Sequence, residues 1–432
     1  MRLQTFINLP TRLSTPLGRT VFKSEVLNKL WPLFLKVTPF YRSIFLKNTR
    51  IVTVVGSYGK TTTTRAISKL LKGDSEKINK RNHLSHVATA VLSLKPSDKY
   101  DVIEVGINGP GQMKRYTSII RPDITVVTNI GSDHSRSLTS LDITRDEKAH
   151  MVRALSSGGV AVLNGDDPNV MWMKEETNAR IITFGMGKDN DIRATSIKLD
   201  WPHGTNFTLH FGGKSYKTTI KLIGAYHVST ILTAVAVGEA CGMNTKESID
   251  SLKELTPTTG RMQPVLLNSG AYLLRDDFKS GIETIEAALN VFAKVPAKRR
   301  ITVIGEIEEP RGSQGPLYKK LGKRLASISD SIIVLATSRN YNSYTTGTAP
   351  GKKRKELFIH AGESIRTAVE LIGELGPGDV VLIKGRQTQG LSRVAHLLMG
   401  RKVGCDLTLC KANFITCDRC PMLEYGWGAK DA

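Results

Sequence analysis

Arg50-Ile51-Val52-Thr53-Val54-Val55-Gly56-Ser57-Tyr58-Gly59-Lys60-Thr61-Thr62-Thr63-Thr64 joins an apolar, β-branched strand to a helix start through two glycines. In such a loop the glycines let backbone N–H groups close round an anion, and the following helix presents its positive end. Lys60 then reaches the outer phosphates and Thr61 can ligate magnesium. Gly56, Ser57, Gly59, Lys60, Thr61 and Thr62 are therefore candidate nucleotide contacts. The commonest phosphate loop is G-x-x-x-x-G-K-[ST], but Val54 holds the place of its first glycine. The pattern is the shorter G-x-x-G-K-T-T, which points away from common GTPases and motor ATPases.

Working outward, strand-like and helix-like stretches alternate from residue 50 to about 258. The apolar runs Val102-Ile103-Glu104-Val105, Ile124-Thr125-Val126-Val127 and Val160-Ala161-Val162-Leu163 predict buried parallel strands. Shorter alternation between Thr195 and Ile223, as in Phe207-Thr208-Leu209-His210-Phe211, predicts a small antiparallel insert. After Pro257-Thr258-Thr259-Gly260-Arg261 a second α/β unit begins, with strands at Tyr272–Arg275, Ile301–Ile304, Ile332–Leu335 and Val380–Ile383. The fold class is α/β: a central phosphate-loop ATPase domain with a parallel sheet (50–258) and a C-terminal Rossmann-like domain (259–402). A basic amphipathic segment (1–49) precedes them and a Cys-rich tail (403–432) follows.

A chain of 432 residues is too long for one ordinary core, so several domains are expected. With 40% hydrophobic and 23% charged residues it has the balance of a globular protein, not a disordered one. The net charge of +22 favours anionic partners such as nucleotides, sugar phosphates, acidic membrane surfaces or nucleic acid, without choosing among them. No apolar run is long enough to span a bilayer and no signal peptide is evident, so a cytoplasmic location is expected. Residues 1–49 carry basic residues from Arg2 to Lys47 against the single acid Glu25. This segment reads as one or two short amphipathic helices broken near Pro32 and Pro39. Its apolar face either rests on an anionic membrane, making the protein peripheral at the inner face, or packs on the next domain.

Beyond the loop, a set of short motifs follows in one order: Glu104 in Glu104-Val105-Gly106-Ile107-Asn108-Gly109-Pro110-Gly111; Thr128-Asn129-Ile130-Gly131-Ser132-Asp133-His134; Lys148; Asn164; His227; Gly260-Arg261; Asp276-Asp277; and Lys384-Gly385-Arg386. In these residues the chain resembles the Mur ligase superfamily, ATP-dependent ligases that join a carboxylate to an amine. Within it the likeness is strongest to the branch that adds D-alanyl-D-alanine to a UDP-muramoyl tripeptide. The resemblance covers roughly residues 50–400 and implies a substrate carboxylate activated by ATP as an acyl phosphate, which an amine then converts to an amide. Such chemistry gathers several negative charges, which metal ions, lysines and helix ends must offset.

By the same resemblance ATP and magnesium are the cofactors, with Thr61, Glu104 and His134 at the metals, Lys148 joining them if it is carbamylated. Lys60, His134, Lys148, Asn164 and Arg261 would serve catalysis. Asn129 and His227 would border the nucleotide, Asp277 would meet its ribose, and Lys384 and Arg386 would face the transferred phosphate or the amine's carboxylate. The partners are ATP and small molecules bearing a carboxylate and an amine. Two departures stand out: the opening segment is not a domain that grips a uridine nucleotide, and Phe278-Lys279-Ser280-Gly281 replaces an Asn-rich stretch. A UDP-muramoyl peptide is therefore expected to be a poor substrate, and the pathway is a cell-envelope, capsule or secondary-metabolite one.

Cys241 sits alone in a helical pattern and reads as core. Cys405, Cys410, Cys417 and Cys420 form C-x4-C-x6-C-x2-C, where four thiolates could hold zinc, or four reduced thiols could be unrelated. The run Lys352-Lys353-Arg354-Lys355 reads as a solvated loop. Two other functions fit parts of the sequence: a phosphate-loop kinase or nucleotide switch, and a basic nucleic-acid-binding protein. The latter lacks aromatic stacking motifs, so nucleic acid is not an expected partner.

Overall fold

The protein is described from a computed structural model covering residues 16–75, 84–132, 137–310, 312–346, 357–410 and 415–426. The first sheet has eight strands in the order β2-β1-β3-β4-β5-β6-β7-β8. Its members are β1 (Arg50–Val55), β2 (Tyr100–Glu104), β3 (Ile124–Val127), β4 (Val160–Asn164), β5 (Arg180–Gly185), β6 (Ile192–Asp200), β7 (Gly204–Phe211) and β8 (Lys214–Ile220). The strands from β2 to β6 pair in parallel, whereas β6, β7 and β8 pair antiparallel. The expected antiparallel insert is thus a continuation of the same sheet.

Ile51–Val55 are all fully buried because β1 has a strand on each side and apolar cover on both faces. From β1 the chain pairs β2 on one side and then crosses to β3 on the other. That reversal opens a crevice at the carboxyl end of β1, the position where open α/β sheets bind ligands. The helix Lys60–Lys72 leaves this crevice and packs on the sheet beside the largely buried helix Ala225–Ala240.

The second sheet has six strands in the order β13-β12-β11-β14-β10-β9. These are β9 (Gln263–Leu266), β10 (Tyr272–Asp276), β11 (Arg299–Ile304), β12 (Ser331–Val334), β13 (Phe358–His360) and β14 (Asp379–Lys384). All pair in parallel except the edge strand β9. Two hydrophobic clusters, one on each face, enclose it. The tail from Val403 folds back on this unit: Cys410 N–H donates to the Thr388 carbonyl at 2.7 Å and Gln387 Nε2 to the Ile415 carbonyl at 3.0 Å.

One expectation needs correction. Among its described residues the opening segment forms a single helix, Pro16–Phe45, with Pro32 and Pro39 inside it. An interior proline costs about 3 kcal/mol through a lost hydrogen bond and ring clash. Tertiary anchors offset that cost at the helix end. The Tyr41 hydroxyl donates to the Leu94 carbonyl at 2.6 Å, Arg42 Nε to the Ile120 carbonyl at 3.2 Å, and Arg42 pairs with Asp123 at 2.8 Å. The run Lys352–Lys355 and the residue His134 lie outside the described residues.

Candidate active site

The loop after β1 has the backbone that its glycines permit. Gly56 has φ of +141°, and a Cβ there would lie 2.0 Å from Thr128 Oγ1. Gly59, with φ of +78°, starts the helix Lys60–Lys72 without a side-chain cap, leaving that task to an incoming acceptor. The end of β3 braces the loop: Tyr58 N–H donates to Asn129 Oδ1 at 2.8 Å, Asn129 Nδ2 to the Tyr58 carbonyl at 3.1 Å, and Thr128 Oγ1 to the same carbonyl at 2.7 Å. Ser57 N–H donates to the Asn129 carbonyl at 2.9 Å, while Gly131 N–H donates to Ser57 Oγ at 2.8 Å. Lys60 Nζ folds over the loop, donating to the carbonyls of Gly56 at 2.7 Å and Ser57 at 3.0 Å. Thr62 and Arg65, on the helix, tie it to the linker at Thr256 and Thr258.

Around this loop stand the other strand ends. Glu104 closes β2 in register with Val54, and it is buried. Lys148, almost wholly buried in the helix Leu141–Arg153, donates from Nζ to Ser57 Oγ at 2.7 Å. Its neighbour Glu147 accepts from the N–H groups of Gly111 at 2.8 Å and Met113 at 2.7 Å, capping the helix Gln112–Ile120. Asn164 ends β4 and donates from Nδ2 to the Thr128 carbonyl at 2.8 Å. Asn129 thus holds the loop backbone directly, while Asn164 holds the strand end at Thr128 that braces it.

The second sheet faces this crevice with the carboxyl ends of β10, β11 and β14. Arg261, in the linker, stacks over Phe278 at 4.4 Å and lies in the field of Asp276, Glu104 and Glu308. An arginine of one unit and a carboxylate of the other therefore share one site. His227 is buried at the start of its helix, where burial and the Arg261 charge push its pKa down to about 3. It is neutral at pH 7, so it can accept or donate a hydrogen bond but carries no charge. A clasp joins the units directly: Ser132 N–H and Oγ donate to the Glu283 carboxylate at 3.0 and 2.8 Å.

Three expected contacts are turned inward. Lys384 Nζ donates to Asp276 at 2.6 Å, to the Lys279 carbonyl at 2.7 Å and to Thr284 Oγ1 at 3.3 Å, so its three protons have partners. Asp277 takes both its bonds from Arg275, at 3.0 and 3.3 Å, and Arg275 also pairs with Asp418 of the tail at 2.8 Å. Arg386 pairs with Glu306 at 3.1 Å.

The tail does not gather a zinc site. Among the described residues no group of three or more His, Cys, Asp or Glu is placed to hold a metal. Instead the fully buried Arg393 guanidinium donates to the Cys405 carbonyl at 3.2 Å and to its sulfur at 3.4 Å. Burial also pushes the Cys417 thiol up to about 11, keeping it protonated.

Residues 54–238 match the model of the Mur ligase middle domain, and residues 260–387 that of the Mur ligase glutamate ligase domain. The chain belongs to the Mur ligase family. A UDP-N-acetylmuramoyl-tripeptide–D-alanyl-D-alanine ligase of Mycobacterium bovis is 26% identical over 373 residues, covering 81% of this chain and 72% of the relative. The MurF of Acinetobacter baumannii superposes with a TM-score of 0.74 at 21% identity, covering 85% of this chain and 80% of that one. A MurF ligase of Thermotoga maritima solved with ADP superposes with a TM-score of 0.72 at 19% identity, covering 85% and 83%.

The residues fit the ATP and magnesium that a Mur ligase uses. The uncapped helix start offers donors to phosphate, and Thr61 with the buried strand-end Glu104 offers the hard oxygens that magnesium takes beside phosphate. Glu147, Glu283 and Asp418 escaped the sequence reading. The partners of all three lie in distant segments, 34–36 residues from Glu147, 151 from Glu283 and 143 from Asp418.

Proposed function

We propose that this Mur ligase joins a carboxylate to an amine in cell-envelope peptide synthesis, using ATP to make an acyl phosphate. An oxygen of the acid attacks the γ-phosphorus of ATP and the bond to the ADP oxygen breaks. The amine nitrogen then attacks the acyl carbon, phosphate departs with the former carboxylate oxygen, and the amine loses a proton. The helix start at Lys60 and the Lys60 ammonium offset the phosphate charge, while Arg261 brings a second cation from the other unit. Magnesium, held by Thr61 and Glu104, would neutralise the phosphate oxygens. Lys148, fixed to Ser57, would position the loop or, as a carbamate, add an anion for a second metal.

The single observation that carries this reading is the shared site: the phosphate loop of one unit lies opposite Arg261 and the strand ends of the other, with Glu104 and Arg261 in one field. A kinase or nucleotide switch would need no such meeting with an amine-binding unit. The test is ADP release with an acid pool, measured with and without amines. The ligase reading expects ADP and a new amide to rise together only when both substrates are present. ADP formation indifferent to amine, with no mass gain on any acid, would support the switch instead.

A further inference from the structure

The helix Pro16–Phe45 has two unlike sides over its last four turns. One side carries the anchors Thr38, Arg42 and, just beyond, Leu46, all buried against the ATPase unit. The other carries Leu33, Val37, Phe40 and Ile44, spaced four, three and four residues apart and therefore in one stripe. These side chains are 57%, 44%, 68% and 57% exposed, and Phe45 beside them is 55% exposed. No other described element exposes more than two large hydrophobic residues. A stripe of this kind on a water-soluble surface marks an interaction site.

Charge decides what covers it. Lys36 and Lys47 are exposed next to the stripe, and Lys114 and Arg115 are exposed on the helix Gln112–Ile120, against which this helix packs. The nearby acid Asp123 is consumed by Arg42. We propose that this face docks the enzyme on an anionic lipid surface, the apolar stripe entering the headgroup boundary and the lysines and arginines pairing with lipid phosphates. A second copy of the chain is a poorer occupant, because each copy carries a net charge of +22 and Pro32 and Pro39 interrupt the regular helix that a paired seam needs. A spanning role is excluded for the described helices, none of which is long and apolar enough to cross a membrane. The proposal stands apart from the ligase reading and can fail without it.

The experiment is flotation of the full chain, without ATP or substrates, on vesicles of phosphatidylcholine alone and with 30% phosphatidylglycerol. The wild type is expected to partition at least tenfold more strongly onto the anionic vesicles, less so as salt rises. The double variant Phe40→Asp, Ile44→Asp should lose at least tenfold of that partitioning while keeping its nucleotide affinity. If it fails to fold, Lys36→Glu with Lys47→Glu provides the second arm, with a loss of at least threefold expected. Equal partitioning of wild type and variants, or none by the wild type at low salt, overturns the proposal. So does a solution dimer that the Phe40→Asp, Ile44→Asp variant dissociates, which would assign the stripe to a second copy.

Discussion

Replacing Gly56 by alanine tests the phosphate loop at its tightest point. A side chain at φ of +141° is strained, which costs about 1–3 kcal/mol. The new Cβ would also lie 2.0 Å from Thr128 Oγ1 and 3.1–3.2 Å from the Asn129 backbone. Neither neighbour yields cheaply, because that hydroxyl holds the Tyr58 carbonyl and the Asn129 backbone accepts from Ser57 N–H. Overpacking adds about 1–3 kcal/mol, so the loop is displaced at a total of about 2–6 kcal/mol. Gly59→Ala provides the internal comparison: its φ is +78°, but nothing lies within 4 Å of the new Cβ, leaving a cost of about 1–2 kcal/mol. Titration calorimetry with Mg-ADP should show affinity reduced by at least ~30-fold for Gly56→Ala and by no more than ~30-fold for Gly59→Ala. A Gly56→Ala protein that binds within about threefold of wild type, or a Gly59→Ala protein that is the worse of the two, would refute this account of the loop.

Lys60→Ala should remove about 3–5 kcal/mol of transition-state stabilisation and abolish acyl-phosphate formation, read as trapped acyl hydroxamate; unchanged turnover would sink the assignment. Lys148→Ala should lose activity that short carboxylic acids partly restore if a carbamate is required, and a fully active variant would remove Lys148 from the site. For His227, the folded pKa near 3 lies below the unfolded value of 6.5, so between these values only the unfolded chain binds the proton. Stability should therefore fall as pH drops below about 6.5, by ~2 kcal/mol at pH 5, and urea melts of His227→Gln should show a flatter slope; equal slopes would contradict the burial argument.

The strands were legible because parallel, doubly covered strands require continuous apolar runs, as at Ile51–Val55 and Val380–Ile383. The phosphate loop was legible because its chemistry is local: two glycines, a lysine and a threonine within six residues. The helix through Pro32 and Pro39 was not, since its anchors lie far off in sequence: Tyr41 reaches Leu94, 53 residues away, and Arg42 reaches Asp123, 81 residues away. The inward settings of Lys384 and Asp277 were hidden for the same reason. Their partners come from separate strand ends, and Arg275 is completed by Asp418, 143 residues on. The zinc reading rested on cysteine spacing, which says nothing of the buried Arg393 that the fold places against Cys405.

The central claim is that ATP activates a carboxylate as an acyl phosphate at the crevice between the two sheets. Its most direct test is to supply a pool of acids labelled with oxygen-18 in the carboxylate, together with ATP, magnesium and an amine pool, and to read the label by mass spectrometry. Acyl-phosphate chemistry requires one labelled oxygen in each phosphate released, ADP as the nucleotide product, and an amide formed in equal amount. Amide formed with AMP as the product, or unlabelled phosphate released without any amide, would contradict it.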